Sequence, residues 1–198
     1  KEKTHETLRP PQTFAEYNRI ARFFTRSINP ESPISYGTTL TLGNTGVAAT
    51  EFLARYFALT KDLFDENDHI LINSSYGIQA LNELVESSYY ANPTYNNWWR
   101  DTARTYAEGE TAMTVLFSNY ASEMTSKGSR IRGNIGFSMV PGGNPMIGGG
   151  SIGISRYSKH KELAYHFIRW LCSEEVSAAM TLLGSVSPCR ETYENYQV

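Results

Sequence analysis

Strand-like runs alternate with amphipathic helical stripes along this chain, and Gly, Pro or Asn punctuates each change; no other feature limits the fold as much. Thr13-Phe14-Ala15-Glu16 is a capping box. The stripe Phe14, Tyr17, Ala21 and Phe24 behind it predicts a helix that stops before Asn29-Pro30. Residues 36–42, rich in Thr and aliphatics, predict a strand. Gly43-Asn44-Thr45-Gly46 turns that strand into a helix over residues 47–59. A polar turn at 65–68 predicts a small surface hairpin, and Asn73-Ser74 caps a helix carrying Ile78, Leu81, Leu84 and Val85. Trp98, Trp99, Thr102, Ala103, Tyr106 and Ala107 share a helical stripe, closed by Gly109 where a positive φ is easiest for glycine.

The pattern continues through a strand at 112–117, a short helix opened by Ser118-Asn119-Tyr120, and a strand at 133–140 stopped by Pro141-Gly142-Gly143. Gly148-Gly149-Gly150 leads into a predicted short strand at 151–155. The cleanest helical period follows, with Leu163, Ala164, Phe167, Ile168, Leu171 and Cys172, and Ser173 starts a further helix with Val176, Met180 and Leu183. Strands alternating with helices imply an α/β sheet with helices on both faces. In such sheets ligands sit outside the carboxyl ends of the strands. Three predicted strand ends carry small or amide-bearing residues: Gly43–Gly46, Ser118–Tyr120 and Pro141–Gly143. Their convergence would make a crevice of backbone N–H groups, hydroxyls, amides and one aromatic ring, which suits a neutral polyhydroxy solute.

Composition excludes several classes. With 18 Lys+Arg against 20 Asp+Glu the net charge is -2, so there is no basic surplus for phosphates, and nucleic acid is not an expected partner. No stretch approaches the ~20 apolar residues of a membrane span. Hydrophobic residues, 40% of the total, suffice for a core. Cys172 and Cys189 fit no metal spacing, His5 and His69 have no nearby Cys or His partners, and no cofactor is expected. Cys172, in an apolar stripe, reads as a buried free thiol, with a bridge to Cys189 as the alternative. One enzymatic pattern is present: Gly149-Gly150-Ser151-Ile152-Gly153 satisfies G-x-S-x-G. A serine hydrolase needs that serine on a strand-to-helix elbow, and here a glycine loop precedes it and a predicted strand follows. Ser151 as a nucleophile is the rival to a non-catalytic role.

Five stretches, in order, carry a family resemblance. Glu108-Gly109-Glu110-Thr111-Ala112-Met113-Thr114 resembles the F-x-x-G-x-x-A-M segment of family 1 extracellular solute-binding proteins, the capture components of ABC importers. Residues 11–17 resemble that family's P-x-T-W-x-E-F helix start, with Phe14 for Trp, and residues 73–84 its N-S-x-E-x-x-x-A-L helix. Met139-Val140-Pro141-Gly142-Gly143 is similar to its P-x-P-G strand end, and residues 149–155 with 158–164 to its GG-x-x-x-x-I-S-x-x-S-K-x-K-E-x-A run.

The resemblance implies a three-layer αβα lobe of a class II periplasmic-binding-protein-like fold. These proteins are bilobal, roughly twice this length, and close like a hinge on their ligand. By resemblance, the chain is a single carboxyl-terminal lobe: residues 1–143 its core, 144–184 the segment that crosses to the other lobe, and 185–198 a truncated return. Asn44, Thr45 and Gly46 match a loop from which sugar-binding members stack aromatic rings; no aromatic stands there, which argues against a maltodextrin. Trp98 and Trp99 offer a sugar platform as an alternative, but their spacing with Thr102, Ala103 and Tyr106 favours a core stripe. Residues 117–120 match the cleft segment N-G-P-W, with Ser118, Asn119 and Tyr120 as contacts, and Gly150 and Ser151 complete the implied ligand set. Implied partners are a small solute, a carbohydrate by resemblance, the membrane permease subunits of an ABC importer, and the amino-terminal lobe. The implied location is the extracellular face or periplasm, with a lipid anchor on the full-length protein.

Overall fold

A computed structural model describes residues 8–94 and 96–194, with the backbone only at Thr45; His5 lies outside the described residues. The chain forms two compact units. The first holds the residues up to Leu116 with Glu123–Met146, the second Phe117–Ser122 with the residues from Ile147 onward.

The first unit is built on a short parallel sheet. Strand β1 (Tyr36–Thr39) pairs with β2 (Thr111–Thr114), Thr38 opposite Met113. On its other edge β1 meets residues 90–92: Gly37 and Thr38 both donate to the Tyr90 carbonyl, and Asn92 donates back to Thr38. A strand paired on both edges and covered on both faces is buried along its length, and Gly37–Thr39 are. Helix α1 (Phe14–Phe24) covers one side, and α4 (Trp99–Ala107) meets the other. The strand's hydroxyls record this: Thr38 shares a hydrogen bond with Tyr17 of α1, Thr39 accepts from Asn96 just before α4, and Thr41 shares a 2.7 Å bond with Thr102 of α4. The α/β class is therefore as expected, with helices on both faces. α2 (Thr45–Leu59) and α3 (Ser75–Ser88) form the crossover between β1 and α4 and pack on each other.

Local chemistry sets the helix ends. Thr13 Oγ1 accepts the Glu16 N–H at 3.1 Å, and the Glu16 carboxylate accepts the Gln12 N–H at 2.8 Å, so the expected box closes one residue earlier than its usual form. That backbone hydrogen bond holds the Glu16 carboxyl below the usual carboxylate range. Gly109, with φ 82°, ends α4 as anticipated. The 65–68 hairpin forms around Asp65, whose carboxylate accepts the N–H groups of Asn67 and His69 and is held low by them.

Four expectations need correction. Residues 133–140 and 151–155 are not strands: among the described residues, the backbone of 135–139 and 147–154 makes no backbone–backbone hydrogen bond. Val140 still packs on the core formed by Phe14, Tyr17 and Ala54, so apolar content was mistaken for a ladder. Helix α3 turns its small residues Gly77, Ala80 and Ser87 inward and leaves Ile78, Leu81 and Val85 exposed, because the buried polar contacts run through Ser87. In the second unit, α6 (Lys161–Leu171) has no buried residue, and Leu163 and Phe167 are 70% and 51% exposed. Cys172 is accordingly exposed rather than buried, and both cysteines are free. The rest of that unit comprises a 3-10 turn at Ser118–Tyr120, α7 (Glu174–Leu182) and α8 (Arg190–Glu194), with α5 (Ala121–Thr125) running from one unit to the other.

A buried polar network ties the helices of the first unit together. Arg55, fully buried, donates to the Glu51 carbonyl at 2.7 Å, to Glu51 Oε2 at 3.1 Å and to Ser87 Oγ at 2.9 Å, and lies over the Phe14 ring. Breaking such a pair strands a buried charge, so Arg55→Ala should lower unfolding stability by about 3–5 kcal/mol in urea denaturation followed by circular dichroism. Burial pushes the Tyr17 phenol well above its ordinary value, and Tyr90 and Tyr106 in the same direction. Folding thus holds their protons where the unfolded chain releases them. Stability should be intact below about pH 10 and fall above it, and Tyr17→Phe should make that fall shallower.

Candidate functional site

At the carboxyl end of β1 the chain passes through Leu40–Leu42 to Gly43 and enters α2 at Asn44. Asn44 is the N-cap: its extended backbone (φ -126°, ψ 127°) lets Oδ1 accept the Gly46 N–H at 2.9 Å. Both residues are exposed, while the Thr45 side chain lies outside the described residues. Glycine is required at 43, since a Cβ there would lie 2.5 Å from Asn97 Oδ1 and 2.9 Å from the Asn96 carbonyl. That crowding is the mark of a second loop lying alongside. The Gly43 N–H donates to the Asn96 carbonyl at 2.9 Å, and Trp99 Nε1 donates to Thr50 Oγ1 of α2 at 3.3 Å.

Gly43, Asn44 and Gly46 therefore share one edge of the first unit with Asn96, Asn97 and Trp98, none of them charged. Asn96 and Asn97 were missed as part of the site, while Trp98 and Trp99, weighed as a sugar platform, were assigned to the core. In sequence the tryptophans fall on a stripe with Ala103, which reads as core; in the structure Thr102, Ala103 and Thr105 are buried and Trp98 is 49% exposed. The signal that could have found them was the Asn-Asn pair before a tryptophan, a poor interior sequence.

Pro141–Gly143 does not converge on this edge. Gly142 donates to the Gln12 carbonyl, and Asn144 donates to the Phe57 carbonyl near the far end of α2, roughly 20 Å from Asn44 at ~1.5 Å per residue. The remaining candidates belong to the second unit. Ser118 and Asn119 are exposed and Tyr120 half-buried in the 3-10 turn, and Phe117 lies against Gly148. Gly150 and Ser151 sit in exposed coil. Ser151 has neither a strand before it nor a helix directly after it, and among the described residues it bonds to no histidine or acid. Among the described residues no three His, Cys, Asp or Glu side chains gather as a metal site, and no helix is long and apolar enough to cross a membrane. A shallow pocket of about 210 Å³ lies at the opposite end of α4, between Arg104, Glu108, Glu123 and Arg130. Within it Glu123 pairs with Arg104 at 3.5 Å, and it also pairs at 2.9 Å with Arg100 outside the pocket.

A family model described as bacterial extracellular solute-binding protein matches residues 1–197. The chain belongs to this family. A probable amino-acid ABC transporter periplasmic-binding protein of Sinorhizobium fredii is 24% identical over 132 residues, 65% of this chain and 30% of its own length. Two solved structures share the fold. One is an ABC transporter solute-binding protein from Agrobacterium radiobacter in complex with ribitol, with a TM-score of 0.81 and 21% identity over 96% of this chain and 49% of its own. The other is a maltose-bound protein from T. maritima, with a TM-score of 0.82 and 20% identity over 96% of this chain and 51% of its own. The chain thus spans about half the length of those two structures and less of the curated relative. The family consists of binding proteins.

Asn44→Ala removes the α2 cap and should cost about 0.5–2 kcal/mol in thermal unfolding. Gly43→Ala should cost more than Asn44→Ala, because its Cβ collides with the Asn96–Asn97 backbone and amide rather than removing one bond.

Proposed function

We propose that this chain provides one lobe of a solute-capture protein that binds a small neutral polyhydroxy solute and delivers it to the permease of an ABC importer, outside the cytoplasmic membrane. The supporting observation is the uncharged edge at the end of β1. Gly43, Asn44, Gly46, Asn96 and Asn97 offer amides, backbone groups and no charge. A zwitterionic amino acid needs counter-charges for its carboxylate and ammonium groups, and Arg100, just beyond this edge, is ion-paired with Glu123. A ribitol-bound and a maltose-bound structure among the neighbours agree with this reading, whereas the name of the curated relative points to amino acids. Thr45 is proposed as a further contact at this edge, and Ser118, Asn119, Tyr120, Gly150 and Ser151 as solute-contacting residues of the second unit by itself. Residues 1–143 act as the lobe core, with 144–184 reaching towards a second lobe and 185–198 returning. A lipid anchor on the longer protein would keep the captured solute near the permease.

Capture of this kind needs no covalent step: hydroxyls replace their water partners with amides, and a second set of contacts closes over the solute. The 198-residue chain with one set of contacts should therefore bind ribitol or maltose with Kd of about 1 mM or weaker in calorimetry. Micromolar binding by this chain alone would contradict the need for a second lobe. Binding of amino acids with no response to either neutral solute would contradict the solute class.

A further inference from the structure

The loop that carries Trp98 is anchored on both sides. Asn96, 3% exposed, donates from Nδ2 to the Leu40 carbonyl at 3.3 Å and to Thr39 Oγ1 at 3.4 Å, and its Oδ1 accepts from Thr105 Oγ1 at 2.9 Å. On the other side, Trp99 is tied to Thr50 of α2 through its indole N–H. Trp98 stands between these anchors, its ring centroid 4.6 Å from that of Trp99 and the planes 59° apart. A single exposed apolar side chain is ordinary on a protein surface. This one is half-exposed yet seated on a ring that is itself bonded, beside an edge that otherwise offers only hydrogen bonds. An aromatic side chain ordered before binding loses little rotamer freedom when a ligand covers it.

We infer that Trp98 is a stacking surface for the C–H face of a cyclic sugar, so that this edge selects pyranose-type rings over acyclic polyols. The inference rests on the neutral-solute reading given above. A pyranose carries hydroxyls around its rim and C–H groups on its faces. The rim matches the amides of Asn44 and Asn97 and the face matches the indole, whose π-surface is electron-rich. An acyclic polyol has no rigid face to present and takes only the hydrogen bonds. Trp98 also supplies the aromatic ring that Gly43–Gly46 lacks.

Saturation-transfer NMR titrations of the 198-residue chain with maltose and with ribitol test this, using wild type, Trp98→Phe and Trp98→Ala. Circular dichroism checks that each variant is folded; Trp98 makes no side-chain cap bond to α4, so the helix start does not depend on it. Trp98→Ala should weaken maltose binding about tenfold and leave ribitol unchanged, while Trp98→Phe keeps most of the maltose affinity. Equal maltose binding by wild type and Trp98→Ala would overturn the stacking role and leave the neutral-solute reading standing. Equal losses for maltose and ribitol would also overturn it, since a lost face cannot penalise a solute that has none. Saturation transfer to amino acids by wild type, with none to maltose or ribitol, would overturn the neutral-solute reading and this inference together.

Discussion

The guanidinium of Arg55 holds the first unit in register. It is fully buried, bonded to Glu51 on its own helix and to Ser87 on α3, and stacked over Phe14 of α1. Glu51 in turn accepts the Thr41 N–H at 2.9 Å, two residues before Gly43. Ser87 passes the network to Asn18 of α1 at 2.6 Å, and Asn18 donates to the Glu83 carbonyl at 2.9 Å. One charge pair thus fixes three helices and the end of the central strand. Desolvating both ions is costly, and among the described residues Arg55 Nε has no partner, so the pair is a weak source of net stability. What it contributes is position: the guanidinium holds the Glu51 carboxylate and Ser87 together across the α2–α3 contact. The candidate edge inherits that rigidity, because Asn44 begins the helix on which Glu51 and Arg55 sit.

Much of this was legible in the amino-acid order. The box at Thr13 and Glu16, the caps at Asn44, Ser74 and Ser173, and Gly109 announce helix ends through local hydrogen bonding, and local chemistry survives folding. Non-local partners were not legible. Nothing in Val115, Val140 or Ile154 says whether a neighbouring strand exists to accept their N–H groups, so runs of strand-forming residues were read as ladders that do not form. Periodicity also misled on α3, where Ile78, Leu81 and Val85 mark an apolar stripe and the buried face is made of Gly77, Ala80 and Ser87. A small-residue face lets α3 approach α2 closely and gives Arg55 its second partner, and hydropathy carries no trace of that.

The site shows the same division. Asn44 and Gly46 could be found because a strand end that turns into a helix is a local event. Asn96 could not, since it reaches that edge through Gly43, Thr39, Leu40 and Thr105, and the stripe with Ala103 turned Trp98 from a sugar platform into a core residue. The threonines of β1 contribute to this: an all-aliphatic central strand would give Asn96 no hydroxyl to bond and leave it the Leu40 carbonyl and Thr105.

The central claim is that a neutral solute meets this protein where β1 gives way to α2. Amide chemical shifts of the 198-residue chain, mapped residue by residue during titration with maltose, test it most directly. The account predicts that the largest changes in the first unit fall on Gly43, Asn44 and Gly46 and on Asn96 to Trp98. Changes confined to Arg104, Glu108 and Arg130, at the other end of α4, would contradict it.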